Sequence, residues 1–233
     1  MSHFEEPLKI HDTLNPVLWK NNTLKSDVRK ALLKIALEYY KFLGIKTQIN
    51  DIVISGSQAN YNYNEKSDID LHLIVDYSTV SCDMDIDELF DTKRKLWKEQ
   101  RNIVIHNIPV EVYVEDLNKP AVSSTYSLIE EKWIKKPEKI NVSIDQDRVD
   151  NVALAWMTVI SAALGTMDAE KVDEVKDMLW AYRKAGLAKE GEMGVPNLVF
   201  KTLRNSGVTE MLLSALGTLR DRDLSLENQS GTQ

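Results

Sequence analysis

The residues of this chain best suited to chemistry are Ser55-Gly56-Ser57 and, eleven residues on, Asp68-Ile69-Asp70. A third acidic residue, Glu111, lies in the strand-like run Ile108-Pro109-Val110-Glu111-Val112-Tyr113-Val114. Side chains two apart in a strand project from one face, so Asp68 and Asp70 can meet the same ion while Ile69, Leu71 and Leu73 enter a core. His72 falls on the carboxylate face by the same parity. Mg²⁺ takes oxygen ligands, usually one or two carboxylates plus phosphate oxygens. Two such ions, about 3.5–4 Å apart, can neutralise a polyphosphate and align the reacting oxygens. Glycine permits close backbone approach, and free N–H groups at the start of a following helix attract phosphate. Ser57 adds a hydroxyl donor. The chemistry these residues suit is transfer of a nucleoside monophosphate from a triphosphate to an acceptor hydroxyl. Asp68, Asp70 and Glu111 would be both metal ligands and catalytic residues, with Mg²⁺ or Mn²⁺ as the cofactor.

Each feature has a plainer reading. A lone Asp-x-Asp is most often a solvated strand end, and a lone Gly-Ser is no stronger. It is their order, strand, turn, strand and later acidic strand, that carries weight. His72 is either a strand histidine, facing solvent or bonded to Asp70, or a substrate contact. Asp83, Asp85 and Asp87 alternate as in a calcium loop but lack its glycine and terminal glutamate, so they read as a solvated loop and a helix cap. Arg183, Lys184, Lys201 and Arg204 form either an ordinary charged face or cations for the β- and γ-phosphates. Lys201 and Arg204, at i,i+3, are the favoured nucleotide-binding pair.

The elements that must position these residues follow from periodicity. Residues 1–22 read as an arm or loose cover. Val28, Leu32, Ile35, Ala36, Tyr39 and Leu43 mark a helix that Ser26 would cap and Gly44 would end. Residues 51–54 and 68–76 read as strands. Residues 87–101 form a helix with Leu89, Phe90, Leu96 and Trp97 as its apolar positions. A hairpin follows, in which residues 103–105 and 110–114 flank His106-Asn107-Ile108-Pro109, with Pro109 marking an edge or strand start. Residues 119–143 read as a connection, and residues 144–227 as almost wholly helical. Helices are expected over 149–164, 172–182, 195–205 and 209–219. The tail 228–233 is polar and expected to be disordered. The fold class is α+β, a domain over 1–118 followed by a helical one.

Composition narrows the partners. The 233 residues suit one large or two small domains. Net charge is -7, and neither half is a polycation, which disfavours long duplex DNA. One cysteine, Cys82, rules out an intrachain disulfide. No apolar run is long enough to span a membrane, and Met1-Ser2-His3-Phe4 lacks the start of a signal peptide. A cytoplasmic location is expected.

Ile52-Val53-Ile54-Ser55-Gly56-Ser57, then Ser67-Asp68-Ile69-Asp70-Leu71, then Val110-Glu111-Val112 resemble the DNA polymerase β-like nucleotidyltransferase superfamily. The resemblance covers roughly residues 26–117, and the Ser67-Asp68-Ile69-Asp70-Leu71-His72 form looks like small members carried by bacteriophages and bacteria. It implies a mixed sheet with flanking helices and a helical C-terminal companion. It also implies a nucleoside triphosphate substrate, with ATP expected. Gly56 and Ser57 would contact the triphosphate, and Asp68, Asp70 and Glu111 would hold metal. The third acid is Glu where many relatives have Asp. The acceptor stays open between an RNA or tRNA end, a small molecule such as an aminoglycoside, and a protein hydroxyl. Two other functions remain: a nucleotide-binding regulatory or antitoxin-like module with little turnover, and a synthase of short or cyclic oligonucleotide signals.

Overall fold

The computed structural model describes residues 10–139 and 144–225, which fall into two compact units, one over residues 9–140 and one containing residues 141–233. Two expectations lie partly or wholly outside the described residues: the disordered tail over 228–233 and the end of the connection.

The first unit begins with a two-stranded hairpin, β1 (Trp19–Lys20) and β2 (Thr23–Leu24), followed by α1 (Ser26–Leu43). The expected loose arm is corrected here from Leu14 onward. Leu14, Leu18 and Trp19 are buried in the core, and Trp19 stacks on Trp133 at 4.9 Å. Ser26 is not the helix cap. Lys25 holds that position without a side-chain cap, and its N–H donates to the Leu18 carbonyl at 2.9 Å, so the hairpin fixes the helix start. The helix buries Val28, Leu32, Ala36, Tyr39 and Leu43, and Gly44 closes it in the left-handed conformation at φ 69°.

β3 (Ile49–Ser55) and β4 (Ile69–Val75) run antiparallel. After β4, α2 (Ile86–Gln100) is capped by the Asp85 carboxylate, which accepts from the N–H groups of Asp87 and Glu88. It buries Phe90 and Trp97, whereas Leu96 is exposed. β5 (Val104–Ile105) and β6 (Ile108–Asp116) flank His106 and Asn107, both at positive φ, 49° and 65°. That pair of dihedrals matches the twist of the flanking strands. β6 then pairs with β4 in parallel.

Residues 119–139 are more than a connection. They carry β7 (Thr125–Ser127) and β8 (Lys132–Lys135), which complete a sheet of order β5-β6-β4-β3-β7-β8. β7 is three residues long and buries Thr125 and Ser127, so it has no apolar alternation to reveal it.

Register divides the sheet into two faces. Ile52, Ile54, Ile69, Leu71, Leu73 and Val112 join the apolar cluster that includes the buried residues of α1 and α2. On the opposite face Ser55 pairs with Asp70 and Asp70 with Glu111, and one step further Val53 pairs with His72 and His72 with Tyr113.

The second unit comprises α3 (Gln146–Gly165), α4 (Ala169–Glu190), α5 (Val195–Asn205) and α6 (Val208–Leu224) around a separate core of Val149, Ile160, Leu179, Leu198, Leu203 and Leu212. Trp156 and Trp180 pack against that core while staying partly exposed. Gly186 lets α4 approach α5 closely, since a Cβ there would stand 2.3 Å from Pro196 Cβ. Among the described residues, no helix is long and apolar enough to cross a membrane.

Candidate active site

Gly56 ends β3 at φ 72°, ψ -157°, a region open essentially to glycine alone. A Cβ on Gly56 would lie 2.1 Å from Asp70 Oδ2. The close approach that requires glycine is therefore made by the Asp70 carboxylate. The helix expected after Ser57 is a single 3₁₀ turn, Ser57–Ala59. It is too short to offer the row of free N–H groups expected from the sequence.

The loop is held from inside. Gln58 is 1% exposed. Its Oε1 accepts from Asn15 Nδ2 at 2.9 Å, and its Nε2 donates to the carbonyl of Ser67 at 2.9 Å. Trp19 Nε1 donates to the Gln58 carbonyl at 2.7 Å. Further along, His11 stacks on Tyr63 at 3.9 Å, and the His11 N–H donates to the Tyr61 carbonyl. One buried amide thus links the Gly-Ser turn to the residue immediately before Asp68. Tyr61 packs partly buried against the core.

Asp70 and Glu111 are register partners on adjacent parallel strands and share the polar face. Asp68 precedes β4 by one residue and lines the same cavity as Glu111. Glu111 points neither into the apolar core nor freely into solvent. Lys98 of α2 donates to its Oε1, and the Tyr113 hydroxyl donates to its Oε2 at 2.6 Å. Burial acts to raise the Glu111 carboxyl, but the hydrogen bonds from Lys98 and Tyr113, with the nearby Arg94 charge, hold it below the usual range. The Tyr113 hydroxyl is pushed up by burial and by the charges of Glu111 and Asp70. Among the described residues, no three His, Cys, Asp or Glu side chains stand close enough together to hold a metal ion.

His72 does not face solvent. It is buried, with Nε2 2.9 Å from Ser55 Oγ, Nδ1 3.5 Å from Glu115 Oε2, and its ring stacked on Tyr113 at 4.9 Å. The neighbouring His72 ring, with Lys119, holds the Glu115 carboxyl below its usual range. This geometry makes His72 a holder of Ser55 within the sheet rather than an open nucleotide contact.

Lys98, Arg94, Tyr113 and Gln58 were not legible as site residues. Tyr113 could have been found by the parity that placed His72, being two residues beyond Glu111. Lys98 and Arg94 reach the site from a helix, and no local spacing announces that. Arg94 lies over the Tyr113 ring at 5.2 Å.

Lys201 and Arg204 stand three residues apart on α5 of the helical unit, Lys201 partly buried and Arg204 exposed. Arg183 of α4 donates to Asn197 Oδ1 at 3.2 Å and lies 4.3 Å over the Phe200 ring. No family model, no curated protein and no solved structure matches the chain.

Proposed function

We propose that the chain is a metal-dependent nucleotidyltransferase that moves a nucleoside monophosphate, with ATP as the expected donor, onto an acceptor hydroxyl and releases pyrophosphate. The observation that carries this reading is the side-by-side placement of Ser55-Gly56, Asp70 and Glu111 on three neighbouring strands. The order in which they occur along the chain is that of the polymerase β-like pattern.

The all-carboxylate donor set suits Mg²⁺ or Mn²⁺. Asp68 and Asp70 would hold the ion, and Glu111 would join them once Lys98 gives way. When bound, the metal neutralises polyphosphate charge and aligns the reacting oxygens. The chain's own residues do the rest. Gly56 lets backbone and Asp70 carboxylate come together without a side chain between them. Gln58 fixes the spacing from that turn to Asp68. His72 orients the Ser55 hydroxyl on the same face.

One observation favours a second reading, a nucleotide-binding module with little turnover. Glu111 is already satisfied by an ammonium and a phenol. A single experiment separates the two. The full chain is incubated with α-labelled ATP, Mg²⁺ or Mn²⁺, and host RNA or protein, while pyrophosphate and thermal stability are followed. A transferase labels an acceptor and releases pyrophosphate, and Asp70→Asn falls to background while remaining folded by circular dichroism. A binding module shows only stabilisation, about 2.7 kcal/mol at a hundredfold excess over the dissociation constant. No stabilisation and no pyrophosphate with any triphosphate would refute both.

A further inference from the structure

We propose that the cavity between α2 and the start of β6 is the acceptor site, and that its acceptor carries a phosphate on the same nucleotide unit as the attacking hydroxyl. This rests on the transferase reading above.

The cavity encloses about 290 Å³ and is lined entirely by residues of the sheet unit. Asp68 and Glu111 reach it from one side. Arg94, Lys98 and Arg101 reach it from α2 and its C-cap. Arg94 and Lys98, four residues apart, share one face of α2, and Arg101 follows them as the C-cap in extended backbone. Three cations against two carboxylates leave the lining net positive before any ion binds. A polycationic acceptor such as an aminoglycoside is disfavoured there, and an anionic one is favoured.

The three cations differ in how they are engaged. Arg94 pairs with Asp91 at 2.6 Å, and Lys98 pairs with Glu111. Among the described residues Arg101 forms no ion pair within 4 Å, and its charge reaches the Glu38 carboxylate only at longer range. Its guanidinium lies 5.3 Å over the Trp97 ring and donates once, to the Gln100 carbonyl at 3.2 Å. A planar fork held over an aromatic ring, with most of its N–H groups uncommitted, suits a phosphate.

Size narrows the acceptor further. At about 290 Å³ the cavity sits at the lower end of small-ligand pockets, about 300 to 1,000 Å³, a size for one nucleotide unit rather than a duplex. The hydroxyl near Asp68 and Glu111 and the phosphate near Arg101 must then belong to one nucleotide. A ribose 3′-hydroxyl with its own 5′-phosphate meets that condition. Its source is either a free nucleoside monophosphate or the 3′ end of single-stranded RNA. In the reaction, the hydroxyl oxygen forms a bond to the α-phosphorus of the donor triphosphate. The bond from that phosphorus to the bridging oxygen breaks, and pyrophosphate leaves with the electron pair. The hydroxyl proton passes to a carboxylate or to water.

Binding to the full chain is titrated with AMP, with adenosine, with an aminoglycoside and with a short single-stranded oligoribonucleotide. Each titration is run with and without saturating non-hydrolysable ATP and Mg²⁺. The expected result is that the phosphorylated probes bind alongside the ATP analogue, with adenosine and the aminoglycoside at least about tenfold weaker. Arg101→Glu should weaken the phosphorylated probes by at least about tenfold and Arg101→Gln by less, with melting temperature and affinity for the ATP analogue unchanged. Tighter binding of the oligoribonucleotide than of AMP assigns the RNA end; the reverse assigns the free nucleotide. Equal binding of adenosine and AMP overturns the proposal, as does an Arg101→Glu variant that binds normally. So does displacement of the probes by the ATP analogue, which would give these cations to the donor. Failure of the transferase reading is seen separately, as no binding of the ATP analogue while Arg101-dependent binding of AMP persists.

Discussion

The space beside Gly56 is filled by the Asp70 carboxylate, so two demands fall on one residue: a dihedral pair that only glycine adopts freely and the absence of a Cβ. Gly56→Ala is expected to cost about 1–3 kcal/mol from the backbone alone. It should also displace Asp70 and remove stabilisation by ATP and Mg²⁺. Denaturant unfolding with and without the ligand checks both. Lys98 makes a different prediction. The folded Glu111 carboxyl is depressed below its ordinary 4.5. Its contribution is therefore fully present above that value and is lost as pH falls through the folded value. Lys98 is largely exposed, so Lys98→Met should destabilise by no more than about 1 kcal/mol near neutral pH. The gap from wild type should close in acid below 4.5, as read from thermal midpoints across a pH series. Strand parity placed Asp70 and His72 on one face, because a period of two fixes which side chains share it, and the structure sets Glu111 beside Asp70 on the neighbouring strand. The same reasoning could not find Lys98, because the helix that carries it meets β6 only in the folded state.

The elements were legible wherever an apolar period ran for several turns. Each of the four expected C-terminal helices has a counterpart, α3 to α6, with longer ends in most cases. Residues 119–139 failed for the opposite reason. β7 is three residues long, with one buried aromatic between two buried hydroxyl residues, and its place is set by pairing with β3 rather than by its own pattern. The segment before α1 failed similarly, since Leu14, Leu18 and Trp19 have no helical or strand period. The loop from Gly56 to Asp68 is where a sequence pattern had most needed structure. Its shape depends on Gln58, one buried amide with partners at both ends of the sequence around it. Gln58→Ala would leave the Asn15 amide and the Ser67 carbonyl without these partners inside the protein. A loss of about 2–4 kcal/mol is expected, together with lower affinity for Mg²⁺ and ATP. Calorimetric titration of the folded fraction distinguishes misplacement of Asp68 from simple unfolding. Retained affinity would show that the loop is positioned by other contacts.

The molecule has two apolar clusters with no residue in common, one beneath the sheet and one inside the helices. Residues 144–225 expressed alone should therefore keep a helical far-ultraviolet spectrum and melt cooperatively. A fragment that shows neither would mean that the helical core depends on residues outside it.

Strand order also has a consequence during synthesis. β3 carries Ile52-Val53-Ile54 and lies between β4 and β7. Its partner on one side follows soon after it, but residues 125–127, which cover the other side, leave the ribosome much later. At roughly 5–20 residues per second, the nascent chain exposes that apolar edge for several seconds. Such an edge is a template for pairing with a neighbouring chain. Slowing translation between β4 and β7 should lengthen this window and lower the soluble yield, without changing a single amino acid.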